Sequence, residues 1–169
     1  MATNSALYLR LSKAALVAMV SLFALLVTWN NIVDYDSNFQ FVVHVLSMDT
    51  IFENSVLADR SIHSTFLHHA FYWLIIAAEG VVGAFCAFGA FTMITSAKQS
   101  SSDFFKAKFA ATIGLVLGIS LWFTGFLTIG GEWFVMWQSP TWNGQDNAFK
   151  FITILSVVLI FLHQPEPQE

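Results

Sequence analysis

Apolar residues along this chain gather into four runs, at about 14–33, 69–97, 105–129 and 148–162, separated by stretches rich in Asp, Asn, Ser, Lys and Gly. A helix needs roughly 20 apolar residues to cross the hydrocarbon of a bilayer. The first three runs reach that length, and the fourth crosses only if it tilts little or draws in its polar flanks. The pattern predicts an all-α protein: a bundle of four transmembrane helices in a single integral membrane domain over residues 1–169. Residues 34–64 form the first outer loop, interrupted too often to span by Asp34, Asp36, Asp49, Glu53 and Asp59. Phe39, Val42, Val43 and Leu46 nevertheless share one helical face there, and Thr50 to Glu53 has the spacing of a capping box, so short amphipathic helices lying on the membrane surface are expected. Residues 130–147 make the second outer loop, with two glycines, three tryptophans and an Asn143-Gly144 turn. The polar, proline-containing tail at 163–169 is expected to be disordered.

The second run organises the rest. On a helix, His68, Tyr72, Ile75, Glu79, Gly83, Cys86 and Ala90 fall on one side, and the other side is aromatic and aliphatic. Ten residues at 1.5 Å each place Glu79 about 15 Å below the outer end of its run, close to the bilayer midplane. An ionised, unpaired carboxylate there costs about 2.5–3.5 kcal/mol even on lenient insertion scales. The other runs offer Ser21, Ser120 and Ser156 near mid-depth, so an intramembrane polar site of Glu79, Ser21, Ser120 and Ser156 is expected. It either fixes helix register or takes a proton or cation. Gly83, and Gly114 with Gly118 four residues on, are read as surfaces for close helix packing.

Composition places the chain in lipid: 56% of residues are hydrophobic and 11% charged, too few charges to cover a soluble globule of 169 residues. Arg10 and Lys13 ahead of the first run resemble the start of a secretory signal. That run is long enough to cross, however, and lacks a small-x-small cleavage site, so it is read as a retained span. Arg10, Lys13, Lys98, Lys106 and Lys108 fall on one side of the four-span arrangement and Arg60 and Lys150 on the other, which puts both termini in the cytoplasm. The lone cysteine, Cys86, lies inside a span and is read as buried packing.

His68, His69 and Glu132 are candidates on the outer face. Their spacing matches neither a helical zinc pair nor a two-histidine haem, so neither metal nor cofactor is expected. With no nucleotide loop or paired catalytic constellation, the chain does not read as an enzyme and no catalytic residue is assigned. The expected partners are the lipid bilayer and other membrane-protein subunits or further copies of the chain, and not nucleic acid.

Five segments carry a resemblance: Leu46-Ser47-Met48-Asp49-Thr50-Ile51-Phe52, Tyr72-Trp73-Leu74-Ile75-Ile76-Ala77-Ala78-Glu79-Gly80, Gly130-Gly131-Glu132-Trp133-Phe134-Val135-Met136-Trp137-Gln138-Ser139, Trp142-Asn143-Gly144 and Ala148-Phe149-Lys150-Phe151. Together they resemble a bacterial family of predicted small integral membrane proteins of unknown function. The resemblance implies four spans in a bacterial inner membrane and transfers no activity. The leading expectation is an accessory, assembly or scaffolding component of a membrane complex. A small proton-linked permease or channel using Glu79 is the alternative, and a haem- or quinone-binding redox subunit the third.

Overall fold

The longest packed helix, α3 (Thr65–Ser96), runs about 48 Å at 1.5 Å per residue. The computed structural model describes residues 4–166, and every regular element among them is helical. Ser64 starts α3 by accepting a hydrogen bond from the Leu67 amide, and His68, Tyr72, Glu79, Gly83, Cys86 and Ala90 all lie on its buried side. Phe66, Trp73, Leu74, Phe88 and Phe91 point outward, as they do on a helix whose back faces acyl chains.

α1 (Asn4–Val33) packs antiparallel along α3. It starts ten residues before its apolar run, because the helix continues through Arg10 and Lys13, which sequence hydropathy excludes. At Gly83 a Cβ would sit 2.7 Å from the Leu25 side chain, so glycine is what lets α1 approach, and Ser21 donates to the Gly83 carbonyl at 2.8 Å. The third span, Ser101–Trp133, holds three segments: α4 (Ser101–Ala107), capped by Ser100, then α5 (Phe109–Ser120), then a π-helical stretch, Leu121–Trp133. α5 meets α3 through Gly89, Gly114 and Ala111. A Cβ on Gly114 would lie 2.7 Å from Cys86 Sγ, and one on Gly118 would lie 2.9 Å from Leu155 of α6 (Gln145–His163). The glycine ridge thus packs against this chain's own helices. α6 leans on α5 and the π segment and touches α1 only sparsely, which leaves a lateral groove between α1 and α6.

Two cores result. Val17, Cys86, Met93, Phe104, Ala111, Leu115 and Leu162 close the half of the bundle nearer the termini. The second core lies at the opposite end, where α2 (Tyr35–Ser47) follows α1 after one turn residue and lays Phe39, Val42, Val45 and Leu46 on Tyr72, Ile76 and residues 134–136. α2 ends at Met48 in the left-handed conformation (φ 54°), and the 3-10 turn Ala58–Arg60 follows. The capping-box reading of Thr50–Glu53 is corrected: no helix begins there, and Thr50 Oγ1 instead bonds Ser139 Oγ at 2.7 Å, tying the segments 48–64 and 134–144 together.

The tail also departs from expectation. Residues 164–166 are docked, with Arg10 donating to both Glu166 carboxylate oxygens and Lys13 to the Gln164 carbonyl; residues 167–169 of the expected disordered tail lie outside the described residues. Burial works to raise the Glu166 carboxyl, but the hydrogen bonds and charge of Arg10, with Ser101 and Lys108, outweigh it and hold it below the ordinary range. A carboxylate lowered on folding stabilises above its unfolded value, about 4.3, and that contribution is lost as pH falls through the lower folded value. A spin label at Gln164→Cys should therefore be immobile at neutral pH and gain mobility on acidification below that value. Mobility that stays constant down to pH 2 would show that Glu166 does not hold the tail.

Candidate functional site

At the end of the bundle away from the termini, the last turn of α1, the first turn of α2 and the middle of α3 bring polar side chains together. Asn31 Nδ2 donates to Glu79 Oε2 at 2.7 Å, and Asn38 Nδ2 donates to Asn31 Oδ1 at 2.7 Å. The Tyr72 hydroxyl makes a longer contact, 3.4 Å, with the Asn31 backbone carbonyl. Asn31 and Glu79 are 4% and 5% exposed, so their bond forms where water competes little and each would be costly to leave unpaired. Glu79 Oε1 receives no hydrogen bond from the described residues.

Two cavities share Glu79. One, of about 200 Å³, is lined on its polar side by Asn31, Asn38, Tyr72 and Asn147. The other, of about 300 Å³, is the groove between α1 and α6, lined almost wholly by apolar groups, among them Met19, Phe23, Val82, Leu121 and Ile154. Val27, Trp122 and Phe151 border both. The π segment shapes this border. Hydrogen bonds reaching five residues back, as from Phe134 N to Ile129 O, widen the turn, and residues four apart stack. The rings of Trp122 and Phe126 lie 4.4 Å apart, and Trp122 lies 4.5 Å from Phe151.

The other sequence candidates lie elsewhere. Ser21, expected beside Glu79, bonds the Gly83 carbonyl, while Ser120 is exposed and Ser156 half-buried on helices whose hydroxyls do not meet Glu79. The midplane depth changes accordingly. Glu79 is 18 residues from Ala97, whose carbonyl Arg10 binds, or about 27 Å along the helix. With Ala97 taken as one boundary of a hydrocarbon layer of about 30 Å, Glu79 falls near the other, with the first turns of α3 rising beyond it. Glu132 is exposed, while Arg60 binds the Trp133 carbonyl and stacks on its ring, and Lys150 bonds Asn147. His68 pairs with the Ile62 carbonyl, and His69 pairs with the Tyr35 hydroxyl and stacks on Phe39. Among the described residues no three His, Cys, Asp or Glu side chains gather as a metal site.

Chemically, this is a carboxyl group with one oxygen fixed by an amide and the other unbonded among the described residues, on a side chain that lines a cleft polar on one side and apolar on the other. Four long apolar helices around that cleft define a multi-pass α-helical integral membrane protein. The chain belongs to the family described as predicted small integral membrane protein (DUF2165), which matches residues 9–165. No curated protein and no solved structure matches it.

Proposed function

We propose that the protein is a non-enzymatic accessory component of the bacterial inner membrane, with both termini in the cytoplasm, and that its working site is the Glu79 cleft, where it holds an amphiphile. The observation that carries this reading is the free Oε1 of Glu79 at the meeting of the two cavities. A cationic or hydrogen-bond-donating head group would sit against Glu79, Asn38 and Asn147, and an apolar tail would follow the groove between α1 and α6. Cavities of this size, mostly apolar with a few convergent polar groups, suit small-molecule binding.

The permease alternative has less support. Glu79 and Asn38 are joined through the Asn31 amide, which holds a fixed donor and acceptor and does not exchange protons as a relay must, the Tyr72 hydroxyl contacts the Asn31 carbonyl and not Glu79, and the bundle below the groove is closed by wholly buried side chains. The redox alternative would need the outer histidines, which have separate partners.

Purification in mild detergent followed by organic extraction and mass spectrometry tests the reading. The parent should carry a discrete amphiphile near one per chain. Glu79→Leu, which removes the acceptor, and Ala24→Phe, which puts a ring into the groove, should lose it while keeping their helical circular dichroism. A parent free of any discrete amphiphile, or variants that carry it equally, would overturn the assignment.

A further inference from the structure

The opposite end of the bundle holds a second concentration of charge that the Glu79 cleft does not use. Arg10 and Lys13 are each 1% exposed and Lys108 5%, and the carboxylate facing them is Glu166. Among the described residues these three cations share one carboxylate, an arrangement that further anionic partners would relieve. His163, paired with Thr112, borders the cluster and adds no negative charge.

The individual bonds locate the gap. Arg10 is saturated: it donates to the carbonyls of Ala97 (3.1 Å) and Gln99 (2.8 Å), to Ser101 Oγ (3.0 Å) and to Glu166 (3.0 and 2.6 Å). Lys13 donates to the Gln164 carbonyl. Lys108 stands apart. Its Nζ lies 5.4 Å and 5.6 Å from the rings of Phe104 and Phe105, and no carboxylate, carbonyl or hydroxyl oxygen among the described residues accepts from it. Lys13 and Lys108 are close enough to repel each other. An ammonium set against two aromatic rings, beside a second ammonium and a guanidinium already shaped to a carboxylate, suits an anion with several oxygens.

We infer that Arg10, Lys13 and Lys108 form a phosphate-binding site at the terminus-bearing end of the bundle, in which Glu166 stands in for part of the ligand. A phosphate group offers more oxygens than a carboxylate. It bridges the two ammonium groups that Glu166 leaves unbridged, and it exchanges with Glu166 on the fork of Arg10. The level of the site, about 27 Å along α3 from Glu79, matches the head-group layer of the leaflet on that side, so the phosphate of an anionic phospholipid and a soluble phosphate are the two sources of this chemistry.

The test uses the full-length protein in detergent. Unfolding temperature and native mass spectra are recorded with added phosphatidylglycerol, with phosphatidylcholine as the zwitterionic control, and with sodium phosphate against chloride at equal ionic strength. Phosphatidylglycerol should stabilise the parent and remain bound in the gas phase. Glu166→Gln, which removes the competing carboxylate charge, should bind it several-fold more tightly, and Lys108→Gln should lose the effect with an unchanged circular dichroism spectrum. Stabilisation by phosphate ion but not by the lipid would assign a soluble ligand to the same residues. The inference is overturned if neither probe stabilises the parent or Glu166→Gln, or if Lys108→Gln binds as the parent does.

Discussion

Replacing Gly89 by alanine should be the most damaging single-methyl change in the protein. A Cβ built there lies 2.4 Å from the Ala111 amide nitrogen and 2.6 Å from its Cα. Backbone cannot rotate aside as a side chain can, so α3 and α5 must separate along the bundle core at Cys86, Ala111 and Leu115. Overpacking of this kind costs about 3 kcal/mol, and the separation adds lost packing along both helices. Gly80→Ala is the matched control, because its Cβ would meet the Thr28 methyl at an ordinary 3.5 Å. Thermal unfolding of both variants in the same detergent should show a large fall for Gly89→Ala and little change for Gly80→Ala. Equal stabilities would mean that α3 and α5 do not cross at Gly89.

The second large effect is expected at Asn31, and it can be reversed. Asn31→Asp keeps the shape but puts an acceptor 2.7 Å from Glu79 Oε2 where a donor stood. Asn38 can still donate to the remaining oxygen, so the change isolates the bond to Glu79. Losing a buried charge-assisted hydrogen bond and setting two carboxyl groups against each other costs about 3 kcal/mol. Adding Glu79→Gln in the same chain restores a donor and acceptor in reversed order, and the double variant should recover most of the loss. A double-mutant cycle in chemical denaturation measures this as a coupling of about 2 kcal/mol. A double variant no more stable than Asn31→Asp alone would remove the bond from the account.

Both positions mark where the sequence is legible and where it stops. The four apolar runs, the buried side of α3 and the small-residue contacts at Gly83, Gly114 and Gly118 follow from hydropathy and helical period. Gly89 escapes because Phe88 and Phe91 flank it and it shares no four-residue spacing with another glycine; only the partner helix reveals which small residue sits at the crossing. The partner of Glu79 escapes for another reason. Depth counted from the start of an apolar run assumes that the helix begins at the membrane surface, whereas α3 rises well beyond the end of α1. Glu79 is thereby moved away from mid-span serines and toward Asn31, which reads in sequence only as the polar end of the first span. The π segment has no hydropathy signature, and the docking of Glu166 depends on a contact with a residue 156 positions away.

The sparse contact between α1 and α6 fixes how the Glu79 cleft is supplied. Its apolar half opens sideways between two helices, so the amphiphile proposed for it would arrive by diffusion within the leaflet. Its effective concentration is then its mole fraction among lipids, set by partitioning and far above its level in buffer, so occupancy demands only modest intrinsic affinity. Dialysis would leave such a site filled, whereas dilution into fresh micelles, which lowers the mole fraction directly, would empty it.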